Sequence, residues 1–140
     1  MILRAFTVLL FILTLANPIF AENIEQSATV QAQAQTTLIT PQNIAYANCT
    51  KMFPVNKEKL FYLALAAIDA NKFEVDEIQT ENGYIIFTVA ENKYLATIAG
   101  IDAQNSILKI TPCNDIYFFP PGVFLGIYKY IDLNINTEIK

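Results

Sequence analysis

The chain has 140 residues and a formal net charge of −4, with nine basic residues, thirteen acidic residues and no histidine or tryptophan. Its one arginine is Arg4, and the lysines are scattered through an acidic chain, which argues against nucleic-acid binding. Without histidine the chain lacks the commonest general base and the commonest zinc ligand, so we expect neither catalysis nor a metal or other cofactor.

Residues 1–21 have the pattern of a secretory signal peptide. Arg4 supplies a short basic region, residues 5–16 are apolar, and an Asn-Pro pair precedes the small residue Ala21. We expect cleavage after Ala21, and the loss of Arg4 then moves the formal charge from −4 to −5. An uncleaved membrane anchor is the alternative, although the apolar run is shorter than the roughly 20 residues that a membrane span needs. We therefore expect an exported protein, periplasmic or extracellular.

The composition divides the rest of the chain into three parts. Residues 22–47 are rich in Gln, Ala and Thr, which is typical of a flexible linker, with a loosely packed segment around Ile44 and Tyr46. Residues 48–133 carry the periodic apolar patterns of a single folded domain. Residues 134–140 are interpreted as a C-terminal tail that frays.

An amphipathic helix is predicted over residues 56–70. Asn56 is a suitable N-cap, because its side chain can accept a hydrogen bond from an amide of the first turn. The apolar residues that follow recur at spacings of three and four: Leu60, Leu63, Ala64, Ala67 and Ile68. Asn71 is expected to end the helix as a left-handed C-cap.

Five short strands are predicted, one before this helix and four after it. They cover residues 51–53, 73–78, 84–90, 94–101 and 106–111. Asn82-Gly83 favours a tight type I′ hairpin, and a second helix is predicted over residues 123–133, although Gly126 weakens that pattern. The order β-α-β-β-β-β-α indicates an α+β fold, an antiparallel sheet with helices packed on one face. The alternative is a paired assembly in which the other sheet face also finds a partner.

Cys49 and Cys113 are the only cysteines, and in an exported protein they predict a disulfide bond. The topology supports this pairing if the first and fifth strands are neighbours, because they run in opposite directions and the start of the first would then lie beside the end of the fifth. The alternative is two buried free thiols. Two cysteines without histidine cannot fill the four-ligand shell of a zinc site.

The remaining candidate site residues are acidic or aromatic. The acidic cluster around Glu74 and Glu77 lacks the spacing and the glycine of a calcium loop, so it is interpreted as a solvated strand face. The strand over residues 84–90 is apolar on both faces. This motivates a candidate interface with a protein partner or a second copy, formed by Tyr84, Ile86 and Tyr94.

The layout also resembles a known class of domains. The matching stretches are residues 51–54, the helix followed by residues 73–75, and the hairpin at residues 82–86. Over residues 48 to about 133 the chain resembles the small TBP-like, helix-grip domains of bacterial envelope lipoproteins, such as the BamC-like class. The resemblance implies a protein-binding or scaffolding role without catalysis, and it carries over no functional residue. The lipobox cysteine of such lipoproteins has no counterpart here.

The sequence thus predicts an exported, non-catalytic α+β domain that acts through protein–protein contacts or as a scaffold at the cell envelope. An exported cystatin-like inhibitor or small-ligand carrier is the alternative, since one helix gripped by a strand meander is also its layout. The Gln-x-Val-x-Gly loop of such inhibitors is absent.

Overall fold

The computed structural model describes residues 37–137. Its strands are β1 (Gln42–Asn43), β2 (Thr50–Phe53), β3 (Glu74–Gln79), β4 (Tyr84–Val89), β5 (Asn92–Gly100), β6 (Ser106–Pro112) and β7 (Phe118–Phe119). Two α-helices follow the predicted positions, α1 (Lys57–Ala70) and α2 (Gly122–Asn134). A short 3-10 helix over Tyr46–Cys49 leads into β2.

Helix α1 begins where its cap predicts. The Asn56 side chain accepts a 2.8 Å hydrogen bond from the Lys59 amide. The apolar stripe that faces the sheet is buried and consists of Leu60, Phe61, Leu63, Ala64, Ala67 and Ile68. The predicted left-handed cap is displaced by one residue, because Asn71 has a φ of −81° and Lys72 takes a φ of 61°. The Asn71 side chain instead donates to the Ala67 carbonyl and seals the last turn.

Five strands form one antiparallel sheet in the order β2-β6-β5-β4-β3. The first predicted strand therefore pairs with the fifth, with Phe53 opposite Ser106 and Thr50 opposite Lys109. The edge strand β3 has an irregular register between Val75 and Glu77. Such a β-bulge twists an edge strand away from simple pairing with another chain.

The two hairpins around β4 differ from the predicted turns. The Gly83 amide donates to the Gln79 carbonyl at 2.8 Å, and Gly83 takes a φ of 71° at the end of a four-residue loop. The predicted type I′ turn is therefore wrong, because Gly83 has positive φ and Asn82 does not. Positive φ values occur instead at Ala90 and Glu91, the two residues between β4 and β5.

Helix α2 follows Pro120-Pro121 and packs against both α1 and the β2 side of the sheet. Its buried stripe is Val123, Phe124, Ile127, Tyr128 and Ile131. Gly126 lies against the α1 cap: a Cβ at this position would come within 2.6 Å of the Asn71 Oδ1 atom. The glycine that weakens the helical pattern therefore leaves room for the Asn71 side chain that closes the last turn of α1.

Both helices pack on the same face of the sheet, and the core lies between them and the strands. The α+β fold with helices on one face is as predicted. Strand residues that point toward the helices are fully buried, including Ile85, Phe87, Ala96, Leu108 and Ile110. Their partners on the other side of each strand remain partly exposed. This alternation defines two different sheet faces.

The compact unit begins before the predicted domain boundary. Residues 42–43, expected to be linker, pair with Phe118–Phe119 as a second, two-stranded sheet. Residues from Thr37 onward belong to the compact unit. The predicted signal peptide, the linker as far as residue 36, and the last three residues of the tail lie outside the described residues.

Candidate functional site

The sheet face opposite the helices is the candidate functional surface, and we call it the open face. Adjacent strands bring its residues into rows that can be read from the strand register. The row nearest the middle of the strands is Thr111, Leu95, Ile86 and Glu77. The next row is Thr50, Lys109, Thr97, Tyr84 and Gln79. These rows place Leu95, Ile86 and Tyr84 at the centre, as an apolar patch on β4 and β5.

The open face continues as an apolar strip at one end of the sheet. Met52 lies opposite Ile107, and Ile107 lies opposite Ala99. Met52 is 61% exposed, although it stands within a strand of the sheet. Exposed apolar residues that are contiguous on one face usually mark an interaction surface.

A single lysine stands on the β6 side of the apolar centre. The Lys109 Nζ atom donates a 3.2 Å hydrogen bond to the Tyr46 hydroxyl and lies 5.7 Å from the centroid of that ring. No acidic side chain of residues 37–137 forms an ion pair with Lys109. Tyr46 therefore holds the charged Lys109 side chain in place, and no acidic group in the described part of the chain neutralises it.

The acidic residues of β3 stand on the other side of the apolar centre. Asp76 is partly neutralised, because it accepts from the Thr88 hydroxyl at 2.7 Å and lies 3.6 Å from the Lys93 Nζ atom. Glu77 accepts a 2.7 Å hydrogen bond from the Tyr84 hydroxyl. This bond raises the pKa of Tyr84 above its ordinary value, because it stabilises the protonated phenol beside a carboxylate. The open face thus has a cationic and an anionic side.

Only two of the three predicted interface residues lie on this face. Tyr84 and Ile86 belong to it, but Tyr94 is 2% exposed and belongs to the core. The Tyr94 ring stacks on Phe87 at a centroid distance of 5.6 Å and meets Phe119 at 5.3 Å. Burial accordingly raises the pKa of Tyr94. Tyr94 alternates with residues of the open face and therefore points toward the helices.

Sequence reasoning missed several open-face residues on the neighbouring strands. Leu95 completes the apolar centre, Thr97 lies beside Tyr84 in the next row, Ile107 extends the apolar strip, and Lys109 supplies the positive charge. The alternation of buried and half-buried residues along β5 and β6 is the sequence signal that could have found them. To use this alternation, one must also know which of the two faces of each strand packs against the helices.

The predicted disulfide bond is wrong, because Cys49 and Cys113 are both free thiols. Thr50 lies opposite Lys109, so Cys49 is level with Ile110, and Cys113 lies three residues further along. Three residues of strand span about 10 Å, beyond the roughly 7 Å that a disulfide allows between Cα atoms. The side chains also differ in environment, since Cys49 is buried and Cys113 is exposed. Burial raises the pKa of the Cys49 thiol.

Residues 37–137 contain few groups that could form a metal site, a membrane-spanning helix or a nucleophile. No group of three or more His, Cys, Asp or Glu side chains there could hold a metal ion. Within the same range, no helix is long and apolar enough to cross a membrane. Ser106 is fully buried and its hydroxyl has no hydrogen-bond partner, so nothing in the described part activates it as a nucleophile.

A groove of about 600 Å³ runs beside α2, with Leu38, Asn71 and Leu125 among its lining residues. Lys51 and Asp132 form an ion pair at its wall, and the Lys51 Nζ atom lies 5.0 Å from the centroid of the Phe53 ring. These contacts attach the second half of α2 to β2. The charged groups of the groove, Lys51 and Asp132, therefore already contribute to the packing of α2 against β2.

Comparisons with protein-family models, with curated proteins and with solved structures found no match to this chain. The likeness to BamC-like domains accordingly stays an expectation from sequence layout. Any functional conclusion rests on the geometry of the open face.

Proposed function

We propose that this chain is an exported, non-catalytic domain that binds protein at the cell envelope, and that the open face is its contact surface. The observation that carries the proposal is the arrangement of this face. Leu95, Ile86 and Tyr84 form an apolar centre, and charged side chains flank it on two sides. An apolar centre with a polar rim is the usual anatomy of a protein–protein interface.

The central aromatic residue supports this function in a second way. Tyrosine is enriched among residues that dominate binding energy, because it contributes a large rigid surface and one polar group. The Tyr84 hydroxyl is already held by Glu77 at 2.7 Å. A side chain fixed before binding loses less conformational entropy in the complex. Tyr84 is therefore a suitable anchor for a partner.

The chemistry of the chain supports a role without catalysis. It contains no histidine, and beyond the predicted signal peptide it contains no arginine. General acid–base catalysis at neutral pH and clamps for phosphate or carboxylate substrates most often use these residues. The signal-peptide pattern of residues 1–21 supports the proposed export, with Ala21 as the proposed cleavage point.

Substitution of Ile86 tests the proposal, with Leu133 as a matched control. Leu133 is an apolar residue on α2 that is 74% exposed, so its substitution removes apolar surface elsewhere. Chemical cross-linking in intact source cells is expected to give a covalent protein complex with the wild type and Leu133→Ser. Ile86→Ser is expected to lose most of it, while thermal unfolding checks that both variants fold. Equal cross-linking of both variants would contradict the proposed function.

A further inference from the structure

We propose that the partner of the open face is a second copy of this chain, packed face to face about a twofold axis. This inference rests on the proposed function, because it takes the open face as the contact surface. It is carried by the positions of Lys109 and Glu77. In residues 37–137, neither side chain has an ion-pair partner within its own chain.

The two charges stand on opposite sides of the apolar centre. Lys109 lies on β6 and Glu77 on β3, three strands apart, which corresponds to about 14 Å at the usual strand spacing. Lys109 is in the row of Thr97 and Tyr84, and Glu77 is in the row of Ile86 and Leu95. The charges are too far apart to pair within one copy, and each is available to another chain.

The register makes this face self-complementary. Each open-face residue can be placed by its strand and by its row across the strands. In these positions, the midpoint between Lys109 and Glu77 coincides with the midpoint between Leu95 and Tyr84. At the usual spacings of strands and residues, the line from Leu95 to Tyr84 also crosses the line from Lys109 to Glu77 at about 80°. A twofold axis that lies between two facing sheets and passes over Leu95 and Tyr84 therefore brings each charged position to within about 3 Å of the other. Lys109 of each copy then faces Glu77 of the other copy, and the pair occurs twice because the interface is isologous.

The same axis also matches the apolar residues. Leu95 of one copy meets Leu95 of the other, and Ile86 faces the space between Leu95 and Thr97. An axis perpendicular to the strands would instead set the β3 acids of the two copies against each other, which like-charge repulsion disfavours. The charges thus select one of the possible face-to-face arrangements.

The size of the face sets the strength of the dimer. Five strands at about 4.8 Å spacing and four rows about 6.7 Å apart give roughly 640 Å² per copy, less than the roughly 800 Å² per partner of a standard stable interface. The dimer is therefore weak and depends on protein concentration. Because two exposed ion pairs contribute, it also weakens as salt rises.

Sedimentation of purified protein, expressed from the full-length chain, tests the dimer. The wild type is expected to pass from monomer to dimer with rising concentration at low salt. Lys109→Glu and Glu77→Lys are each expected to raise the dissociation constant about tenfold or more, because both symmetry-related pairs become like-charged. An equimolar mixture of the two variants is expected to recover the dimer, since opposite charges then meet at both positions.

A control variant separates the charge from the fold. Thermal unfolding checks each protein, and Lys109→Gln with Glu77→Gln replaces the reversals if either fails to fold. Glutamine at position 77 can still accept from the Tyr84 hydroxyl, so these variants change charge while keeping the hydrogen bond. They are expected to weaken the dimer in the same direction by a smaller factor.

Three results would overturn the second copy as the partner: a wild type that stays monomeric up to about millimolar concentration, a dimer unaffected by Lys109→Glu, or a mixture that stays monomeric. The cross-linking experiment with Ile86→Ser then distinguishes the two proposals. If Ile86→Ser still abolishes complexes in cells, the open face binds a different protein. If it does not, the proposed function fails as well.

Discussion

The Tyr128 hydroxyl donates a buried 2.6 Å hydrogen bond to the Cys49 carbonyl, across 79 positions of the chain. This bond joins α2 to the residue that precedes β2. The Tyr128 ring also meets Phe53 at a centroid distance of 6.0 Å and Phe124 at 5.7 Å. The last helix is thereby attached to the edge of the sheet that carries Lys51.

Removal of this hydroxyl is expected to destabilise the domain. Tyr128→Phe keeps the ring contacts but leaves the Cys49 carbonyl without its buried donor, which costs about 1–2 kcal/mol. Urea unfolding would show a lower midpoint with an unchanged slope. Tyr62→Phe is the control, because Tyr62 is 44% exposed on α1 and its loss is expected to leave the midpoint unchanged. An unchanged midpoint in Tyr128→Phe would refute the contribution of the bond.

Alkaline pH is expected to destabilise the protein through the same residue. Burial raises the pKa of Tyr128 in the folded state above the tyrosine value of about 10, and it also raises that of Cys49. As pH rises, the unfolded chain therefore loses these protons at a lower pH than the folded protein does. The contribution of the protonated groups to the free energy of unfolding is fully present below the unfolded pKa values and is lost as pH rises past about 9. Urea midpoints between pH 8 and pH 11 measure this loss. Tyr128→Phe is expected to lose less than the wild type over this range, and an identical loss would contradict the assignment.

The free thiols predict a defined pattern of reactivity. In the folded protein one thiol, that of Cys113, is expected to react with Ellman's reagent, whereas both react after denaturation. A reducing agent should leave the unfolding temperature unchanged, because no disulfide constrains the unfolded chain. Cys113→Ser is expected to abolish the reaction in the folded state. No reactive thiol in the denatured, unreduced protein would establish a disulfide and refute the free state.

The contact between Gly126 and Asn71 predicts that alanine at position 126 destabilises the protein, although alanine is the better helix former. Alanine in place of a helical glycine normally stabilises by about 1 kcal/mol. Gly126→Ala is instead expected to destabilise by about 1 kcal/mol, because the added Cβ would lie 2.6 Å from Asn71 Oδ1 and would displace the Asn71 amide from its hydrogen bond to the Ala67 carbonyl. In an Asn71→Ala background the same substitution should be neutral or stabilising. A double-mutant cycle measures this coupling, and additive effects would show that the close approach is unimportant.

Local signals were sufficient to predict most of the fold. Asn56 and the apolar stripe after it define α1 without reference to the rest of the chain. Chain direction predicted that β2 and β6 run in opposite directions, and the structure shows that the two strands are neighbours. Gly126 could not be interpreted from sequence, because its role depends on Asn71, which is distant along the chain.

Register was the property that the sequence did not supply. Tyr94 lies in a strand with apolar residues on both faces, so period-two alternation alone did not decide which face meets the helices. The cysteine pairing failed for a related reason, since a shift of three residues separates Cys113 from the level of Cys49. Of the three residues predicted for the candidate interface, Tyr84 and Ile86 thus lie on the open face and Tyr94 does not, and the sequence did not point to Lys109.

The central claim, that the open face is where this protein binds protein, is tested most directly by site-specific photo-cross-linking. A photoreactive phenylalanine analogue would replace Tyr84 on the open face or, as the matched control, the exposed Tyr62 on α1. In intact source cells the probe at position 84 is expected to form a covalent adduct with a protein, either a second copy or another chain, and the probe at position 62 is not. Adducts at position 62 alone, or at neither position, would contradict the claim.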